Sequence, residues 1–133
     1  MANMEYLKNL PIAVLGGGNV SKAIAADCAL GGAKVRICDV MPFATNSLRN
    51  LDKAGIKFYG EQMNLYGFQR EGLAMMEKVT TDVAEAIKGA GIIVVGTTVF
   101  GHRPMFEKMI PHLEDGQVVM LFPDNFGTLL LRK

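Results

Sequence analysis

The chain has 133 residues, 50% hydrophobic and 20% charged, enough for one domain with a real core and too few for two ordinary ones. Its 14 basic side chains stand against 13 acidic ones, a net charge of +1, which suggests neither nucleic acid nor an anionic membrane as a partner. Cys28 and Cys38 lack CxxC or histidine spacing and read as reduced thiols of a cytoplasmic protein, and no apolar run approaches the roughly 20 residues that span a bilayer.

Residues 1–10 carry Glu5 and no continuous apolar segment, so no leader is read there. Ile12–Leu15 is a short, nearly all-apolar run of the kind a parallel strand buried on both faces requires. Gly16, Gly17 and Gly18 end it. From Val20 onward, Val20, Ile24 and Cys28 recur at helical spacing beside Ala23, Ala26 and Leu30, which predicts a small-residue helix lying close on a sheet. Gly31 and Gly32 stop that helix where a left-handed cap is wanted, residues 34–38 resume as a strand, and Asp39 follows directly.

Pro42 suits the first turn of a helix running to about Lys53, with Phe43, Leu48 and Leu51 as core contacts and Gly55 as its stop. Residues 56–59 read as a strand, and residues 62–72 as an irregular hairpin packing Phe58, Tyr59, Tyr66 and Phe68 as a sheet extension. Lys78–Thr80 is another brief strand. Thr81 or Asp82 is the expected cap of a helix over residues 83–88, since either side chain accepts from orphan amides. Ile92–Val95 is the most β-branched run and is expected to be a central parallel strand ending at Gly96, Thr97 and Thr98. Pro104 is expected to open a helix with Phe106, Met109, Ile110 and Leu113 on its sheet-facing stripe, kinked at Pro111. Residues 117–122 form the next strand, and residues 126–133 begin a helix.

Strands alternating with helices at this rhythm imply an α/β fold of the Rossmann type, three-layered, with a mainly parallel sheet, right-handed crossovers and a small hairpin insertion. Ligands of such sheets bind beyond the carboxyl ends of the strands, where the strand order switches. Gly16 permits the tight turn after the first strand, Gly18 lets backbone approach a pyrophosphate, and the amides of Asn19 and Val20 lie where a helix N-terminus favours negative charge. The third fingerprint position is Ser21 rather than glycine, small enough for close packing of helix on strand. Asp39 accepts from both ribose hydroxyls and repels a 2′-phosphate, so the expected cofactor is NAD, with NADP disfavoured. Thr97 and Thr98 read either as neighbours of the pyrophosphate or nicotinamide ribose or as turn caps. His102 reads as a loop hydrogen-bonder and His112 as helix-end electrostatics; no metal cluster or catalytic triad is seen, and no catalytic residue is assigned.

The run AVLGGGNVSKAIAADCALGGAKVRICD, the interval 56–79, the VVGTTVFGH turn and the ending VVMLFPDNFGTLLL together resemble the N-terminal NAD-binding domain of the opine (octopine/nopaline) dehydrogenase family. The resemblance spans nearly the whole chain and departs from the family pattern at Ser21 and at Asp124 and Asn125. It implies an NAD(P)-dependent oxidoreductase that condenses an amino acid reductively with a 2-oxo acid. In that family the catalytic His and Asp belong to a second, helical domain, so residues 1–133 are expected to be the dinucleotide-binding domain alone, without the catalytic second domain, and inactive by themselves. Glycerol-3-phosphate dehydrogenase and ketopantoate reductase have similar N-terminal domains. Two other classes stay open: a stand-alone NAD-binding regulatory module, and an S-adenosylmethionine-binding domain, which also places glycines and an acid at these positions. The sheet edge without its usual cover predicts a homo-oligomer.

Overall fold

The computed structural model describes residues 9–59, 70–124 and 127–132. β1 (Ile12–Leu15) lies at the centre of a five-stranded sheet with β2 (Val35–Cys38) on one side and β6 (Ile92–Val95) on the other. β5 (Lys78–Thr80) extends the sheet beyond β2, and β7 (Val118–Leu121) extends it beyond β6. Every pairing is parallel, in the order β5-β2-β1-β6-β7, which is the doubly wound order expected of a dinucleotide fold. An antiparallel pair, β3 (Ile56–Phe58) with β4 (Gly72–Ala74), forms a small insertion as its own two-stranded sheet rather than an extension of the main one, and its second strand lies at and beyond the end of the interval 62–72 read as a hairpin.

The apolar strands β1 and β6, and β2 with Arg36 as its one polar residue, are what a sheet covered on both faces requires. Alternation divides their side chains between two cores. Ala13, Leu15, Ile93 and Val95 point into the layer formed by α4 (Val83–Ile87) and α5 (Val99–Met109), with Ala86, Ile87, Met105, Phe106 and Met109. Val14, Val35, Ile37 and Val94 face the opposite layer, built from α1 (Asn19–Leu30), α2 (Ala44–Ser47) and α3 (Leu51–Ala54) through Ala25, Ala44, Leu48 and Leu51. Each fully buried Leu, Ile, Val or Met contributes about 1.5–3 kcal/mol. The β3–β4 pair packs on the outside of α1, where Arg70 donates to Asp27 at 2.9 Å.

Several local expectations change. The buried stripe of α1 is Ser21, Ala25 and Ala26; Val20 is 48% exposed, because the helix is rotated to bring its smallest side chains onto the sheet. The left-handed residue after α1 is Gly32, at φ +95°, while Gly31 stays helical. The single helix expected after Pro42 is broken in two by Asn50 at φ +57°, and it buries Leu48 and Leu51 but exposes Phe43. Phe58 is half-buried and Tyr59 exposed, so Tyr59 does not join the packing expected of it; Tyr66, Phe68 and residues 62–69 of the hairpin lie outside the described residues.

Asp82 is the cap of α4: its Oδ1 accepts from the amides of Ala84 and Glu85 at 2.9 and 3.3 Å. α5 starts at Val99, five residues before the proline expected to open it, and Pro104 sits inside. The missing N–H costs one intrahelical bond, to the carbonyl of Phe100. The earlier start turns the helix, so His102, Met105, Phe106 and Met109 are buried and Ile110 and Leu113 are exposed; the kink at Pro111 takes the form of a 3₁₀ turn, Ile110–His112. α6 (Gly127–Leu131) closes the described chain, and the Asp124 carboxylate accepts from both the amide and the hydroxyl of Thr128 at its start. These two bonds hold the Asp124 carboxyl below its usual range. Among the described residues no helix is long and apolar enough to cross a membrane.

Candidate functional site: a glycine turn at the carboxyl edge of the sheet

The carboxyl ends of β1 and β6 are adjacent, Leu15 being in register with Val95, and helices leave these two strands to opposite faces of the sheet. This is the switch in strand order. Gly16 opens the turn at φ +108°, a left-handed conformation that disfavours any side chain, and its amide donates to the Cys38 carbonyl at 2.7 Å. A Cβ on Gly16 would stand 3.0 Å from Ser21 Oγ and 3.1 Å from Thr97 Cγ2, so the turn is closed on that side. On the other side a Cβ on Gly17 would collide with Ser47 and stand 2.9 Å from Asp39 Oδ2. A Cβ on Gly18 would meet nothing within 4 Å. The turn is packed at its first two glycines and open at its third.

α1 begins at that open end. Its first intrahelical bond runs from the Lys22 amide to the Gly18 carbonyl at 3.0 Å, which leaves the amides of Asn19, Val20 and Ser21 without intrahelical acceptors. Among the described residues no side chain caps them, and no acidic residue lies in the first turn. The positive end of the helix is therefore uncompensated and faces open space. These features fit a phosphate.

Ser21 explains how the departure from a third glycine is tolerated. It is fully buried, and its hydroxyl donates to the Gly96 carbonyl at 3.1 Å, so α1 approaches the end of β6 across a single small side chain.

Asp39 ends β2 beside this turn, as expected, yet its environment differs from an open strand-end acid. It is only 8% exposed; Oδ1 accepts from the Val40 amide at 2.9 Å and Oδ2 from the Ser47 hydroxyl at 2.6 Å. A carboxylate offers about four lone-pair positions, so the capacity to accept from a sugar diol is reduced but not exhausted. The neighbouring Cys38 thiol is pushed up to about 12, first by burial and then by the Asp39 charge, and is chemically quiet. Cys28 is raised in the same direction, chiefly by burial; both cysteines are free.

Of the residues singled out in the sequence, the structure brings Gly16 and Thr97 together on one side of the turn, places Asp39 on the other, and sets Gly18, Asn19 and Val20 at the helix start. Thr98 is exposed at the N-terminus of α5 and makes no side-chain capping bond. Thr97 Oγ1 is buried without a hydrogen-bond partner among the described residues.

His102 corrects the sequence reading more strongly. Instead of bonding in a loop it is 1% exposed inside α5, stacked on Phe106 with ring centroids 5.4 Å apart, and its Nε2 has no partner among the described residues. The spacing of His102, Phe106 and Met109 carries that signal once the helix is started at Val99. His112 lies exposed in the 3₁₀ turn. Among the described residues no group of three or more His, Cys, Asp or Glu is placed to hold a metal.

Residues 11–123 match the family model of the NAD-dependent glycerol-3-phosphate dehydrogenase N-terminus, which covers the turn, Asp39, Thr97 and the whole parallel sheet. The chain belongs to that family. Its NAD-dependence agrees with the cofactor read from Asp39, and the expected kinship with opine dehydrogenases is met as well. Octopine dehydrogenase of Mizuhopecten yessoensis is 27% identical over 120 residues, 89% of this chain and 30% of that protein. An octopine dehydrogenase solved with NADH and L-arginine superposes with a TM-score of 0.71 at 23% identity, over 84% of this chain and 28% of that one. The glycerol-3-phosphate dehydrogenase of Coxiella burnetii gives a TM-score of 0.61 at 19% identity, over 85% of this chain and 32% of its own. The chain thus spans about a third or less of the length of these proteins, and at such identities the two structures establish the fold alone.

Proposed function

We propose that this chain is the NAD-binding domain of an opine-dehydrogenase-like oxidoreductase, which joins an amino acid to a 2-oxo acid reductively, and that it is inactive without further catalytic groups. The observation that carries this reading is the glycine turn at the strand-order switch, open at Gly18, with helix amides that have no intrahelical acceptor on one side of it and the Asp39 carboxylate on the other. In it Gly16 makes the turn, and Gly18, Asn19 and Val20 hold the pyrophosphate by backbone approach and amide donation. Asp39 receives the adenosine ribose and selects NAD over NADP. Thr97 and Thr98, at the end of β6, flank the nicotinamide half, and the unpaired Thr97 Oγ1 supports a ligand partner there. When bound, the nicotinamide supplies hydride chemistry; the chain's own contribution is to bind and orient it.

Titration with NADH and NADPH tests the reading: saturable NADH binding with weak or no NADPH binding supports it, and binding of S-adenosylmethionine instead would reject it. Turnover of an amino acid plus pyruvate with NADH by the 133-residue chain would overturn the claim of inactivity. The family match favours a second reading, the cofactor domain of a glycerol-3-phosphate dehydrogenase, which predicts the same cofactor with a different substrate.

The setting proposed is the cytoplasm, supported by two free thiols. Self-association is proposed at β7, whose outer edge makes no sheet pairing among the described residues and which carries exposed Val118 and Met120, followed by exposed Phe122. Light scattering at rising concentration checks it, a monomer at high concentration counting against it.

A further inference from the structure

We infer that Ser47 is a positioning residue for cofactor choice, acting by fixing the carboxylate of Asp39 against the glycine turn; this rests on the proposed NAD-binding reading. A lone acid at a strand end samples several rotamers, and each points its charge differently. Here the Ser47 hydroxyl donates to Oδ2 at 2.6 Å, a short charge-assisted bond, while the Val40 amide holds Oδ1 at 2.9 Å. With both oxygens held and the residue 8% exposed, the carboxylate has one orientation, in which Oδ2 lies 2.9 Å from where a Cβ of Gly17 would be. A side chain on Gly17 would collide with Ser47 itself, so these three residues form one close cluster.

The serine is itself rigidly placed. Its amide donates to the Phe43 carbonyl at 3.0 Å, and Leu48, the next residue, is buried in the core with Ala44. The two buried residues anchor α2 beneath β1 and β2. Ser47 thereby reaches the carboxylate from the sheet layer rather than from a free loop.

The consequence for recognition follows from charge and geometry. A fixed carboxylate presents its remaining lone pairs to a ribose diol without an ordering cost, and it holds its negative charge where a 2′-phosphate would sit. The basic side chains on this segment, Arg49 and Lys53, are exposed. Removing the hydroxyl frees the carboxylate to turn away. NADH then binds more weakly and NADPH is repelled less, so the preference between them narrows.

The experiment measures dissociation constants of NADH and NADPH for the wild-type chain, Ser47→Ala, Ser47→Thr and Ser47→Val, with thermal melts of each. The expected result is a loss of about tenfold in the NADH-to-NADPH preference for Ser47→Ala and Ser47→Val, with Ser47→Thr close to wild type. A merely structural role would weaken both cofactors together and leave the ratio unchanged, which would overturn the inference. Should Ser47→Ala melt, the near-isosteric Thr and Val pair asks the same question of the hydroxyl alone. Wild-type protein that binds neither dinucleotide would instead remove the NAD-binding reading, and this inference with it.

Discussion

The Ser21 hydroxyl donates to the carbonyl of Gly96 at 3.1 Å, and a Cβ built on Gly96 would run into that same hydroxyl and stand 3.2 Å from Ser21 Cβ. The first helix and the end of β6 therefore meet with no spare volume. Gly96→Ala is expected to destabilise the fold by about 1–3 kcal/mol through overpacking, measured by urea unfolding. Ser21→Gly in the same chain should recover part of that loss, since it removes the atoms the new methyl meets. Additive losses in the double variant would show that the two residues do not share one contact.

Gly16 and Gly18 separate folding from binding. Gly16→Ala forces a side chain into φ +108° and against Thr97, and should lower the melting temperature. Gly18→Ala adds a methyl that touches no protein atom, so its melting temperature should stay close to wild type. That methyl nevertheless enters the space assigned to the pyrophosphate, and NADH affinity should fall by about tenfold or more. Unchanged NADH binding by a folded Gly18→Ala would remove the phosphate from this end of the turn.

Cys38 predicts an alkaline limit to stability. Its thiol is held up to about 12 against an ordinary value of 9.0, so the folded chain keeps a proton that the unfolded chain releases. The contribution is fully present below pH 9.0 and is lost progressively as pH rises toward 12, at up to about 1.4 kcal/mol per pH unit. Unfolding measured from pH 8 to 11 should show a steeper decline for wild type than for Cys38→Ala. For the same reason, Cys38 should react with thiol reagents only on unfolding, whereas half-buried Cys28 should react slowly in the native state.

Asp82 fastens the start of α4 through two amides, and α4 contributes Val83, Ala86 and Ile87 to the core. Asp82→Ala should cost about 1 kcal/mol, and Asp82→Asn, which keeps an acceptor oxygen, much less. A chemical denaturation series reads both. Glu85, one turn on, is held below its usual carboxylate range by hydrogen bonds from Lys78 and Thr80 and then by the Lys78 charge. Its contribution is present above the ordinary carboxylate range and is lost as pH falls through the lowered value, so Glu85→Gln should flatten the acid limb of the stability profile.

The strands were legible because their chemistry is local. Ile12–Leu15 and Ile92–Val95 are apolar runs with turn residues at their ends, Val79 and Thr80 are β-branched, and all three strands appear at the bounds their sequences suggest. The glycine turn and its acid were legible for the same reason. Helix faces were less so, since a face is set by the whole of the helix it belongs to. Starting α5 at Pro104 rather than Val99 moved the apparent stripe and left His102 in a loop, although the structure buries it against Phe106. Val20 was misplaced by the preference for large apolar side chains, whereas the sheet selects the smallest ones, Ser21 and Ala25. The grip of Ser47 on Asp39 joins the last residue of α2 to the residue after β2, eight positions apart, and no spacing rule signals it.

The central place of β1 also predicts an order of assembly. Ile12 pairs with Val35 in the nearby β2 and with Ile92 far along the chain in β6, so the first contact closes a short loop and the second a long one. The glycine turn and Asp39 can come together while β6, which leads to Thr97, is still undocked. A ligand that touches both sides would then act as a clasp, drawing the late strand onto the early unit and favouring the folded population by mass action. Hydrogen exchange at the amides of residues 92–95, with and without NADH, reads this directly: added protection there is the expected result, and unchanged exchange would show that the dinucleotide grips the early unit alone.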